Sequence, residues 1–301
     1  MDYKKIIKNQ KTRLAILKML SWIPDRLMIP LQYWIKLGRW CNTDNPKRWT
    51  EKLQSYKLYY RNPILHACVD KYEVRTYLQS KGCNEYLTKL FGVWDNAYDI
   101  DFSILPNSFV LKTTNGGGGE DVVLVQNKDE INRNDVCELL NQKLKKEVNG
   151  GREWAYTGIS KPRIIAEELL VNKANPGAGV EDFKILCFGG EPHYIIVDKD
   201  RYIDHKRNVY TTSWERVYVT TDHEQFETPY PEPENFQEML NVARKLSADF
   251  PFVRVDLYNV EGKIYFGELT FYPWTGYVQF TPDEFDYTLG NLMDCSSFMK
   301  K

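Results

Sequence analysis

Two acids and an arginine late in the chain have the types and spacing to hold a charged ligand. In FVRVDLYNVEGKIYFGELTFYP, residues 252–273, two alternating runs meet at residues 259–262, the pattern of a β-hairpin. Alternation puts Val253, Val255 and Leu257 on one face and Arg254, Asp256 and Tyr258 on the other. On the return strand it groups Glu268 and Thr270 with Ile264 and Phe266. If the register matches the two polar sets, Asp256 and Glu268 are cross-strand neighbours, opposite or diagonal. Two carboxylates side by side repel unless something cationic lies between them, and Mg²⁺ bridging phosphate oxygens is the natural candidate. Arg254 could then stabilise phosphoryl charge in transfer. The plainer reading of the same residues is an ion pair of Arg254 with Glu268.

Other segments offer partners for an anion. Residues 108–125, SFVLKTTNGGGGEDVVLV, read as a second hairpin whose turn holds Gly116, Gly117, Gly118 and Gly119. Without Cβ atoms, backbone N–H groups can close on a phosphate, and Lys112 adds a point charge beside them. An ordinary flexible turn reads equally well. A Walker A loop would need Gly-Lys-Ser/Thr and then a helix, whereas Glu120, Asp121 and a strand follow here. A dinucleotide-binding glycine turn meets the same objection.

In the strand RIIAEELL, residues 163–170, Glu167 and Glu168 point to opposite faces. One can face a cleft and accept from a ribose hydroxyl, while backbone groups around Glu168 and Leu169 pair with an adenine edge; a strand leaving the core with both acids wet is the alternative. A third hairpin, DFKILCF and PHYIIVD, places Asp182, Lys184 and Leu186 on one face, so Lys184 is either a phosphate ligand or a lysine on a wet edge. Arg201, His205, Lys206 and Arg207 could hold a carboxylate or sugar acid, or form a solvated turn.

The elements that must position these groups are read from periodicity. Trp49, Leu53, Tyr56 and Tyr60 form one helical stripe, and Leu65, Cys68, Val69 and Tyr72 begin another. Basic residues between them (Lys52, Lys57, Arg61, Lys71 and Arg75) could line an anionic substrate or a solvated face. Residues 84–107 leave helix, strand and loop open. Residues 129–149 read as an amphipathic helix with Val136, Leu139, Leu140 and Leu144 inward, and residues 235–249 as another. Residues 1–40 carry nine Lys/Arg against Asp2 and Asp25, with Pro24 and Pro30 interrupting a helical pattern to leave two short amphipathic helices. Such an arm can lie on an anionic bilayer or pack on its own domain or a second subunit.

The 301 residues are 43% apolar and 27% charged with net charge −1, an ordinary globular composition that argues against a nucleic-acid partner. Six scattered cysteines and four histidines match no zinc spacing or disulfide framework, which points to reduced thiols in the cytoplasm. No secretory signal is expected, since charges run through the N-terminus, and no apolar run approaches the roughly 18 residues of a spanning helix.

Taken jointly, NPKRWTEKLQSYKLYYRNP, VDKYEVRTYL, LPNSFVLKTTNGGGG, KPRIIAEELL, EDFKILCFGGEPHYIIVD and the 252–273 hairpin resemble the ATP-grasp superfamily, closely its TupA-like branch tied to teichuronopeptide and capsule biosynthesis. The resemblance implies an α+β fold with ATP between two α+β lobes and a helical region ahead of them. The implied division is an arm at 1–40, a helical region at 41–107, a lid at 108–170 and a metal-bearing unit at 171–301. It further implies Lys112 and Lys184 on the phosphates, the glycine loop above, Glu167 or Glu168 at adenine and ribose, and Asp256 and Glu268 on Mg²⁺. Thr270 stands where many ATP-grasp ligases carry Asn. The implied chemistry joins a uronic-acid carboxylate of a surface polysaccharide or precursor to an amino acid through an acyl-phosphate. A sugar kinase, a non-catalytic nucleotide binder and a glycosyltransferase compete, the last with only Asp198-Lys199-Asp200 as an isolated match to an acidic nucleotide-sugar motif.

Overall fold

Apolar stripes and alternating strands assemble into two antiparallel sheets braced by helices. The computed structural model describes residues 9–117, 121–145, 151–159, 161–173, 179–200 and 203–299. Helices α1 (Gln10–Met19) and α2 (Asp25–Leu37) come first. Pro24 separates them, but Pro30 does not interrupt the second; it lies inside α2. Proline there removes one backbone bond toward Arg26, and burial of Met28, Ile29, Tyr33 and Leu37 offsets the loss.

Helix α3 (Trp49–Tyr59) starts where Glu51 accepts from the N–H groups of Lys47 and Arg48 at 2.9 and 3.1 Å. Its stripe of Trp49, Leu53 and Tyr56 is completely buried. Helices α4 (Ile64–Val69) and α5 (Val74–Ser80) complete this layer.

Residues 84–107 resolve into a short helical turn, strand β1 (Leu90–Trp94) and a second turn at Ala97–Asp99. With β2 (Phe109–Thr113), β3 (Val122–Val125) and β4 (Ile164–Glu167), β1 forms a four-stranded sheet in the order β1-β4-β2-β3, so this sheet takes in residues ahead of 108. Helix α6 (Arg133–Leu144) covers it. The Asn132 side chain caps α6 by accepting from the N–H groups of Asn134 and Asp135, and packing on the small sheet sets which face turns inward. Cys137 and Leu140 therefore point inward, while Leu139, expected inside, is 41% exposed.

The larger sheet contains β5 (Asp182–Phe188), β6 (Glu191–Lys199), β7 (Lys206–Thr211), β8 (Arg216–Val217), β9 (Phe252–Val260) and β10 (Lys263–Thr270), in the order β10-β9-β5-β6-β7-β8. Its apolar face, with Phe183, Ile185, Val253, Val255 and Leu257, packs on helix α7 (Phe236–Ser247) and the α3–α5 layer in the main core. Helix α8 (Glu284–Leu292) closes against α3, where Asp286 accepts from the Thr50 N–H at 2.9 Å and its hydroxyl at 2.7 Å. The other, polar face of the sheet is left for chemistry.

Candidate active site

The polar face is organised by register. Lys184 of β5 pairs with Asp256 of β9, which pairs with Glu268 of β10, so the three stand in one row across three strands. β5 is interior to the sheet and Lys184 is only 6% exposed, which removes the wet-edge alternative for this lysine. The row depends on a departure from alternation. Register slips between Phe266 and Glu268, with Phe266 opposite Leu257 on the core face and Glu268 opposite Asp256 on the polar face. The expectation that Glu268 and Thr270 share a face with Ile264 and Phe266 is therefore corrected: a β-bulge at Gly267 inserts one residue and reverses the parity beyond it.

Arg254 knits the row together. Its Nε and Nη2 donate to the two Asp256 oxygens at 2.6 Å each, and Nη2 also donates to Glu268 Oε1 and Thr270 Oγ1 at 3.1 Å. Thr270 Oγ1 donates in turn to Glu268 at 2.9 Å. The ion pair of Arg254 with Glu268 is thus present, and it extends to Asp256. Burial raises the Asp256 carboxyl above its ordinary range, with Arg254 and Lys184 opposing. Burial also works against ionisation of Glu268, but Arg254 and Lys71 outweigh it and hold that acid below the ordinary glutamate range.

Lys184 is surrounded by carboxylates. It bonds Asp182 and lies 3.4 Å from Asp198 and 3.6 Å from Asp256. Burial lowers its affinity for a proton, but Asp182 and Asp256 more than restore it, so the ammonium stays charged. Asp198 links this cluster outward to Arg207, whose Nε donates to it at 2.5 Å and whose other side meets Asp222. Among the residues expected to hold a substrate acid, Arg207 joins the site through Asp198, and His205 Nε2 lies 3.3 Å from Asp198. Lys206 turns away to Asp204 at 2.8 Å, because its neighbour Arg207 takes the inner face of β7. Arg201 lies outside the described residues, as do Gly118 and Gly119.

On the smaller sheet, Lys112 of β2 donates to Glu167 of β4 at 2.9 Å, and Arg75 of α5 donates to the other oxygen of Glu167 at 2.9 Å. Glu167 is 6% exposed, so of the adjacent acids it is the one turned inward, while Glu168 and Leu169 follow the strand end half-buried. In the glycine turn, the Gly117 N–H donates to Asp121 at 3.2 Å. A Cβ at Gly116 would sit 2.5 Å from that same side chain, which is why glycine is needed there. An anionic oxygen already held by a loop N–H is the interaction that a phosphate would use.

The two halves meet at a narrow gap of about 20 Å³, room for roughly one water molecule. Its walls are Cys68, Val69, Lys71 and Val74 from the helical layer, Gly116 from the glycine turn, Tyr156, and Gly267, Glu268 and Leu269 of β10. Lys71 spans it, donating to the Gly116 carbonyl. Burial pulls the Lys71 ammonium down, and Glu268 opposes that pull. Lys71 and Arg75 were legible only as bases on a helix, since the contacts that single them out come from residues 45 and 92 positions away. Asp198 stood out in the sequence only within Asp198-Lys199-Asp200; its approach to Lys184 requires the β5–β6 register.

Paired carboxylates and a hydroxyl are hard oxygen donors, a set suited to Mg²⁺ bound jointly with substrate phosphates. Among the described residues no group of three or more His, Cys, Asp or Glu is placed to cage a metal. Asp256, Glu268 and Thr270 are the residues that would hold such an ion, and their oxygens are bonded to Arg254.

Two antiparallel sheets facing one cleft, a glycine turn on the first and a cation–acid row on the second, define the ATP-grasp fold. The sequence matches the family model described as TupA-like ATPgrasp over residues 51–294, and the chain belongs to that family. No protein of curated function matches. Solved structures that it resembles include an L-amino acid ligase from Bacillus licheniformis, at 15% identity and TM-score 0.48 over 94% of this chain and 66% of that one. D-alanine--D-alanine ligases from Helicobacter pylori (15%, TM-score 0.41, 75% and 61% covered) and Bacillus anthracis (17%, 0.41, 68% and 57%) also match. The chain spans 57% and 61% of the length of those two D-alanine--D-alanine ligases.

Proposed function

We propose that this protein is an ATP-dependent carboxylate–amine ligase whose acceptor is a uronic-acid carboxylate of a surface polysaccharide or its precursor and whose amine is an amino acid. The observation that carries the reading is the shared cleft, where Gly116, Lys71 and Glu268 line one space in a chain of the ATP-grasp family. Lys112 and Lys184 neutralise the phosphates of substrate ATP, the glycine turn covers them, and the segment around Glu167, Glu168 and Leu169 takes the adenine and ribose. Asp256, Glu268 and Thr270 would hold Mg²⁺, which would supply charge screening for the phosphates. Arg254, already spanning Asp256 and Glu268, is placed to face the phosphoryl group as it moves to the acceptor carboxylate. ADP leaves, the amine attacks the acyl carbon, and phosphate departs as the amide forms. The acceptor carboxylate docks toward His205 and Arg207, Arg207 itself being buried and paired with Asp198 and Asp222. Six unpaired cysteines accord with a reducing, cytoplasmic setting.

The test is an ADP-release screen crossing uronic acids with amino acids, with Asp256→Asn as the blank. ADP release that requires both partners, with an amide in the product, supports the proposal. Phosphorylated sugar in place of amide would replace it with a kinase, and nucleotide binding without turnover under any pair would reduce it to a binding protein.

A further inference from the structure

We infer that the N-terminal helices seat this protein on an anionic lipid bilayer. Helix α2 is apolar on two opposite sides. Met28, Ile29, Tyr33 and Leu37 are buried in the domain, while Leu27, Leu31, Trp34 and Ile35 form one outward stripe, exposed by 66, 36, 45 and 36%. Trp40, 71% exposed, stacks on Trp34 and extends the stripe, and Trp22 just before the helix is 79% exposed. Eight of the sixteen large apolar side chains exposed among the described residues fall between Ile16 and Trp40, so this is a patch rather than scatter. The charged residues of α2 avoid it: Asp25 bonds Arg152, Arg26 lies over the Tyr59 ring and Lys36 over the Tyr277 ring.

The surface is rigidly mounted. Arg39 bonds Asp283 at 2.7 Å and Asp286 at 2.8 Å, Tyr33 bonds Thr50 at 2.8 Å, and Arg152 holds the carbonyls of Leu20 and Ile23. Its chemistry selects the occupant. Tryptophan rings favour the boundary between hydrocarbon and headgroups. Residues 1–40 carry nine Lys/Arg against two Asp, a net +7, whereas the whole chain nets −1, so the remaining residues net −8. Anionic headgroups attract the net positive charge of residues 1–40 and repel the rest. A second copy of this chain would bring a +7 arm against its like. The stripe precedes the family match at residues 51–294 and does not rest on the ligase reading.

The full chain is sedimented, without nucleotide, with vesicles of phosphatidylcholine alone or mixed with phosphatidylglycerol. Binding is expected to be about tenfold or more stronger on the mixed vesicles and to weaken as salt rises. Leu27→Glu with Trp34→Glu, and separately Trp22→Ala with Trp40→Ala, should each lower it by about tenfold with the melting temperature retained. No sedimentation with either vesicle overturns the inference, as does equal binding by both variants. Concentration-dependent dimerisation abolished by the same substitutions would also overturn it, assigning the stripe to a second copy.

Discussion

Asp256 and Glu268 face each other across the β9–β10 pair only because Gly267 absorbs one residue of the return strand. A Cβ at Gly267 would lie 3.0 Å from the Asp256 carbonyl oxygen and 3.2 Å from the Tyr258 ring. The backbone oxygen cannot swing aside, so the bulge itself must distort. Gly267→Ala is expected to cost about 1–2 kcal/mol of stability. It should lower ADP release beyond what that loss explains, because Glu268 moves with the bulge; calorimetry and an ADP assay on one preparation check both. Unchanged activity at lowered stability would separate the bulge from the chemistry.

Arg254 makes four bonds to three partners through a fork that lysine cannot reproduce. Arg254→Lys keeps the charge against Asp256 and Glu268, so folding should survive while turnover falls by about a hundredfold. The steady-state rate with saturating substrates, compared with the thermal midpoint, is the measurement.

Glu167 is held by two cations, and the two should prove unequal. Lys112 lies on the sheet beside the glycine turn, whereas Arg75 also donates to the Thr88 carbonyl at 2.9 Å and ties α5 to the segment before β1. Lys112→Met is expected to weaken ATP binding about tenfold with little change in stability. Arg75→Met should cost about 1–3 kcal/mol more stability than Lys112→Met, because it also frees the Thr88 carbonyl and unties α5 from the segment before β1. Calorimetric titration with ATP and thermal melts distinguish them.

Tyrosine burial predicts alkaline behaviour. Burial pushes Tyr33 up to about 12 and raises Tyr77 and Tyr272 as well. Between the unfolded phenol value of about 10 and the folded one, the native state keeps protons that the unfolded chain has lost, so stability falls as pH rises through that window. Phenolate absorbance should therefore titrate in part before unfolding and in part with it. Smooth ionisation of every tyrosine without unfolding would contradict the packing of Tyr33 between α2 and α3.

Much of this architecture was readable from local pattern. Alternation placed Asp182 with Lys184 and Arg254 with Asp256, and the helical stripes of Trp49 and Leu65 marked the bracing layer, because side-chain direction repeats every two or 3.6 residues whatever lies beyond the segment. The same rule misplaced Glu268 and Thr270, since a bulge changes the count without leaving a pattern, and it misread Leu139; Pro30, read as a break, lies inside a helix, and packing decided both.

The chain by itself determined which residues share a strand or a helix face, for that follows from backbone geometry over a few neighbours. Only the tertiary structure decided that Lys184, Asp256 and Glu268 stand in one row, that Lys71 and Gly116 close the cleft above Glu268, and that one side of α2 stays uncovered. Register between strands and the approach of one lobe to another are settled by packing among residues far apart in sequence, and no short stretch encodes them alone.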